Sequence, residues 1–205
     1  MKFPFFASSI VFVIWLAYEL RKYNHIDKKA QSSFWEREVL ANSVRRKSLE
    51  NLTYISIPTD SLPMDTLTED ETMKDIHKTI FFLKGQKIVN FTGYSNTDLK
   101  LQYGAPNITL LTEYDQHYTL LVRTLQKWAE LLYKNNYMNE CKSVLEFAVS
   151  THTDVSKTYK LLGDIYFSEG DFDRIRQLID TASTLNSVMK NTIVRTLKES
   201  YLYNG

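Results

Sequence analysis

A chain of 205 residues, 43% hydrophobic and 24% charged, is sized for one domain plus an appendage and carries enough apolar material for a core. A formal net charge of +1 leaves no strong field of either sign, which argues against a nucleic-acid or polyanion partner. Six glycines and four prolines are few for this length and favour helices over a turn-rich β protein, while a single cysteine, Cys141, excludes an internal disulfide and fits a reducing compartment.

Residues 3–18, FPFFASSIVFVIWLAY, carry no charge, and the apolar stretch extends to Leu20 with only Glu19 charged. Residues 1–20 therefore read as a transmembrane anchor, with the bilayer as partner of residues 3–20 and Trp15 and Tyr18 toward the interface. The rival is a cleaved signal peptide, which the short Met1-Lys2 start and the exit Tyr18-Glu19-Leu20-Arg21-Lys22, without small residues, do not favour. A buried core helix fits poorly with a segment apolar on every face. Arg21, Lys22, Lys28, Lys29, Arg37 and the run Arg45-Arg46-Lys47 follow the span, so the positive-inside tendency predicts a single-pass protein of the cell membrane with a cytoplasmic body. The sequons at Asn51, Asn90 and Asn107 pull weakly the other way.

Residues 21–63 read as a juxtamembrane helix and linker. Over 28–50, Trp35 and Val39, then Leu40 and Val44, form a thin apolar edge. Arg45, Arg46 and Lys47 would lie on anionic lipid, or the edge packs on the body and the charges stay wet. The stretch IPTDSLP, 57–63, reads as an extended linker. Residues 64–118 read as an irregular helical cap with loops. Thr68 and Glu71 form a capping-box pattern ahead of a helix over 69–83, with Ile76, Ile80 and Leu83 at helical spacing. A loop-like stretch follows, with a short helix near 97–102 and with Tyr94, Asn96 and Tyr103 available to a ligand or serving as connecting structure.

The last part, residues 119–205, repeats itself at an offset of 34. Leu125 pairs with Tyr159, Trp128 with Leu162, Ala129 with Gly163, Leu132 with Tyr166, Asn136 with Gly170, Cys141 with Ile175, Leu145 with Ile179 and Ala148 with Ala182. Each copy predicts two antiparallel helices joined at the breaker, with the small residues as gaps that let helices approach. A glycine inside a helix costs roughly 1 kcal/mol against alanine, so Gly163 must be repaid in packing. Asn186 is placed to cap a last helix over 187–202, whose stripe Met189, Ile193, Leu197 and Tyr201 covers the open edge. The pattern over 122–149 and 156–183 resembles the tetratricopeptide repeat, better in the second copy, YKLLGDIYFSEGDF, than in the first, where Ala129 stands for glycine. Phrases such as GYSNTDLKLQYG and LLTEYDQHYTLLVRTLQKWAE also resemble a group of membrane-anchored proteins of Gram-positive bacteria, which implies no activity. The expectation is an all-α protein: a transmembrane helix, two tetratricopeptide-like hairpins and a capping helix.

The resemblance implies a binding role, with the first helix of each hairpin lining a concave face. Its outward residues are Arg123, Gln126, Glu130, Tyr133 and Lys134, then Lys157, Lys160, Asp164, Phe167 and Ser168. Arg123, Lys157 and Lys160 would grip a carboxylate and Tyr133 and Phe167 an apolar side chain, whereas Asp164 opposes the carboxylate clamp known in the family. The bland alternative is a solvated face. The functional expectation is a membrane-anchored adaptor for a protein or peptide; the alternative is a self-associating structural protein. No cofactor is expected: His25, His77, His117 and His152 lack metal-ligand spacing, there is no glycine-rich phosphate loop, and Cys141 and Trp128 fall at core positions. Glu113, Asp115 and His117 are the residues an enzyme within 85–118 would use, although acids at a helix start explain the carboxylates equally.

Overall fold

Low breaker content is answered by a helical chain. A computed structural model describes residues 4–202, without the side chains of residues 4–7 and 23–30. Among the described residues there are eight α-helices, a 3-10 turn at Ala105–Asn107 and no strand. The helices are α1 (Pro4–Ser43), α2 (Glu71–Lys84), α3 (Asn96–Tyr103), α4 (Ile108–Lys134), α5 (Met138–Ser150), α6 (Ser156–Ser168), α7 (Phe172–Ser183) and α8 (Lys190–Tyr201).

The membrane anchor is corrected. Among the described residues no helix is long and apolar enough to cross a membrane, so the transmembrane segment, the single-pass membrane assignment and the localisation built on it are not supported. Helix α1 is long, at 40 residues, but its uncharged N-terminal stretch ends at Tyr18, before Glu19, Arg21 and Lys22. Residues 1–3 of the expected span lie outside the described residues. Helix α1 continues from Pro4 to Ser43 without a break, through residues expected as anchor and as juxtamembrane helix.

The chain divides into two units. One holds the residues up to Lys47 together with Asn96–Ile108. In it the C-terminal part of α1 packs on α3 with Ala41 fully buried. Glu38 takes an ion pair from Lys100 and a 2.7 Å hydrogen bond from the Thr97 hydroxyl, and Arg37 pairs with Asp98 at 2.6 Å. The Lys100 contact first, then Thr97, holds the Glu38 carboxyl below its ordinary range. The expected apolar edge is not what packs: Trp35, Val39 and Leu40 are exposed. Asn107 donates to the carbonyls of Lys47 and Tyr103 at 2.8 Å each, so this sequon asparagine works as an internal clamp.

The other unit, Ser48–Ser95 with Thr109 onward, holds the main core. Its segment 57–63 is more than a linker: Ile57 and Leu62 are buried in the core, and the Ile55 amide donates to the Ile88 carbonyl at 2.9 Å. Asp70, rather than Thr68, caps α2 by accepting from the Met73 amide at 2.9 Å. Asn90 ties the loop after α2 to the α5–α6 connection, donating to the Tyr118 hydroxyl at 2.9 Å and to the Thr151 carbonyl at 3.0 Å. Helix α4 starts at Ile108, well before the first repeat copy, and so takes in residues expected to be loop.

Within this unit the 34-residue offset reappears in three dimensions. Helices α4 and α6 end at Lys134 and Ser168, and α5 and α7 begin at Met138 and Phe172. The turns share one geometry: Asn136 and Gly170 are left-handed, at φ 63° and 72°. The Tyr137 amide bonds the Leu132 carbonyl at 3.0 Å, and the Asp171 amide bonds the Tyr166 carbonyl at 2.9 Å. All eight aligned pairs except the turn residues are buried. Helix α8 begins at Lys190, again 34 residues after α6, and packs on α6 and α7 as a third first-helix would. Its stripe buries Ile193, Leu197 and Tyr201, whereas Met189, expected as its first member, precedes the helix and is exposed. Asn186 does not cap it; the Asn186 amide reaches the Thr92 carbonyl at 3.4 Å, and α8 starts three residues beyond the expected 187.

Candidate functional site

The residues expected to form a binding face sit on the C-terminal half of α4 and on α6. On an amphipathic helix the side chains outside the buried stripe face solvent, and here that stripe is Leu125, Trp128, Ala129 and Leu132 in α4 and Tyr159, Leu162, Gly163 and Tyr166 in α6. Glu130, Tyr133 and Lys134 are exposed, as are Lys157, Lys160, Phe167 and Ser168, while Gln126 and Asp164 are half-buried.

Polar contacts join the two helices. Thr158 donates to the Gln126 side chain at 2.7 Å, Gln126 donates to Glu130 at 2.7 Å, and Lys157 lies 3.8 Å from Glu130. One repeat later Lys160 pairs with Asp164 at 3.2 Å. The lysines expected to grip a carboxylate are thus each set against an acid of the same face. Arg123 does not join them. It lines a cavity of about 160 Å³ with Asp75, Ile76, Thr79, Thr124 and Lys127, between α2 and α4.

Tyr201 of α8 enters this face. Its ring meets Phe167 at 5.7 Å between centroids, and its hydroxyl donates to Asp164 at 2.7 Å and to the Lys160 carbonyl at 2.9 Å. Lys160 stands over the ring at 5.9 Å. Burial first, then the Asp164 hydrogen bond and charge, pushes the Tyr201 hydroxyl well above the ordinary phenol value, with Tyr133 adding to the shift. Gly163 makes this seat. A Cβ there would lie 2.5 Å from a Tyr201 ring carbon. The gap at Gly163 therefore admits α8, whereas the expectation was a neighbour within its own hairpin. The equivalent Ala129 has its carbonyl accepting from the Cys141 thiol of α5 at 3.3 Å.

The residues considered for catalysis do not assemble. Glu113, Asp115 and His117 lie inside α4; Glu113 and His117, four residues apart, share a face, while Asp115 between them points away from it. Glu113 is exposed, burial raises the Asp115 carboxyl, and His117 Nδ1 contacts the Lys87 carbonyl at 3.0 Å. Among the described residues no group of three or more His, Cys, Asp or Glu is placed to hold a metal ion. Burial pushes the Cys141 thiol up to about 12, opposite to what a nucleophile needs. Tyr94 is half exposed against Phe91 in an edge-to-face pair.

A contact invisible to sequence reasoning lies on the other side of the hairpins. Glu146 of α5 accepts from Tyr166 of α6 at 2.7 Å and from Arg174 of α7 at 3.1 Å, at the rim of a cavity of about 280 Å³. No family model, curated protein or solved structure matches the chain.

Proposed function

We propose that the chain is a helical-repeat binding module of tetratricopeptide type, and that the α4–α6 face holds a protein or peptide partner. The observation that carries this reading is the exposed aromatic pair Tyr133 and Phe167, placed 34 residues apart on helices that end in the same register. A solvated face has no use for large apolar side chains at equivalent positions, whereas a binding face does. The buried titratable groups near this face serve packing.

The test is affinity capture with the full chain from a cell extract, followed by the Lys157→Glu, Phe167→Ala double variant. Lys157 is exposed, whereas Phe167 is half-exposed and its ring meets Tyr201, so a thermal melt of the variant shows that it is folded before capture is compared. A partner captured by the parent and lost by the variant supports the face; capture that survives the double change rejects it.

A further inference from the structure

The cavity of about 160 Å³ between α2 and α4 is built from the same spacing on both helices: Asp75, Ile76 and Thr79 on one, Arg123, Thr124 and Lys127 on the other. The helices run antiparallel here, since His77 meets Trp128 at 5.4 Å and Phe82 meets His117 at 6.1 Å between ring centroids. Ile76 and Thr124 are buried and form the floor, while the three charged residues are exposed and form the rim.

The rim charges do not meet. On the hairpins an exposed cation is set against a nearby acid: Lys160 against Asp164, Arg174 against Glu146, Arg176 against Asp173. In the recess, among the described residues, Asp75 lies within ion-pair distance of neither Arg123 nor Lys127, and none of the three side chains has another polar partner. The flanking charges are engaged elsewhere, Glu71 with Lys74 at 2.9 Å and Glu130 with Lys157 at 3.8 Å. Lys78, one turn from Asp75, only adds positive charge. The Thr79 hydroxyl donates to the Asp75 carbonyl at 2.9 Å and the Thr124 hydroxyl to the Leu120 carbonyl at 2.8 Å, so both oxygens are left as acceptors.

Charge and size select the occupant. A simple anion would meet Asp75 as well as the two cations, and a simple cation would meet Arg123 and Lys127. A molecule carrying both charges satisfies each wall, and two cations against one acid call for two carboxylates and one ammonium. The volume, that of roughly five waters at about 30 Å³ each, admits a small organic ion and excludes a folded segment. We propose that this recess binds a free acidic α-amino acid, its carboxylates held by Arg123 and Lys127 and its ammonium by Asp75. The site lies on the α2 side of α4, apart from the α4–α6 face, and is independent of the binding role proposed above.

Titration calorimetry of the full chain at low ionic strength with L-glutamate, glutarate, L-glutamine and inorganic phosphate tests this. Glutarate lacks the ammonium, and glutamine lacks the second carboxylate. Glutamate should bind tightest, by about tenfold over each of the others. Arg123→Gln and Lys127→Gln should each weaken glutamate about tenfold or more. Asp75→Asn should weaken glutamate and strengthen glutarate, reversing their order. All three side chains are exposed, and a thermal melt of each variant establishes that it is folded. Glutarate or phosphate binding as tightly as glutamate makes the recess a plain anion site and overturns the proposal. Glutamate binding that is absent, or indifferent to all three changes, overturns it as well, and glutamine binding as tightly as glutamate overturns the demand for a second carboxylate.

Discussion

Gly163 shows how one missing side chain sets a contact two helices away in the chain. The ring of Tyr201 fills the space, and its hydroxyl is held by Asp164 and the Lys160 carbonyl, so the ring has little room to retreat. Gly163→Ala should therefore lower stability, by roughly 1–3 kcal/mol in denaturant melts, despite alanine's better helix propensity. In a Tyr201→Ala background the same change should reverse sign and stabilise by up to about 1 kcal/mol. Equal effects in both backgrounds would mean the two residues do not meet. Cys141 makes a second residue-scale prediction. Fully buried and with its thiol pushed up to about 12, it should resist a disulfide reagent at pH 8 and react at once when denaturant is added. Rapid labelling of the native chain would contradict the packing of α5 on α4.

The hairpin turns are the element-scale feature on which the repeat depends. Asn136 and Gly170 both take left-handed backbone to end a helix, and both turns return an amide to a carbonyl five residues back. Nothing approaches within 4 Å of a Cβ built at Gly170, so a side chain there meets only backbone strain. Gly170→Ala should cost about 1 kcal/mol, Gly170→Asn less, and Asn136→Gly should be neutral or slightly stabilising, all read from thermal melts. A Gly170→Ala variant as stable as the parent would show that the α6–α7 turn is not left-handed. The repeat register was legible at this scale because breakers, small residues and large residues recur at one offset. Helix starts were less legible: Asp70 lies two residues from the expected Thr68, and either pattern offers an acceptor to free amides.

At the scale of the molecule, buried titratable groups limit the pH range. His77 lies against Trp128, with ring centroids 5.4 Å apart, and burial lowers its pKa. The unfolded chain then takes up a proton near pH 6.5 before the folded chain does, so stability falls as pH drops below about 6.5. At the alkaline end burial raises Tyr118 to about 12, and it raises Tyr159, Tyr166 and Tyr201 further. These side chains ionise first in the unfolded state, so stability falls again as pH rises past about 10. Denaturant midpoints from pH 5 to 11 should give a maximum between these limits, and His77→Phe should flatten the acid side if it packs. An acid limb unchanged in His77→Phe would assign the loss to other groups. The molecule also departs from the expected plan at this scale, since α1 runs to Ser43 and no described helix suffices to cross a membrane.

By itself the sequence determined the helical class, the helix breaks at Asn136 and Gly170, and three of the four stripe residues of the last helix, Ile193, Leu197 and Tyr201 but not the exposed Met189, because periodicity and backbone strain are local properties of the chain. Where each gap is filled was decided only by tertiary structure. Tyr201 in the Gly163 seat, the acids set against Lys157 and Lys160, and the removal of Arg123 toward α2 depend on which helices lie side by side. Residues distant along the chain become neighbours through the burial of whole helix faces, and a single helix's pattern carries no record of which partner completes it.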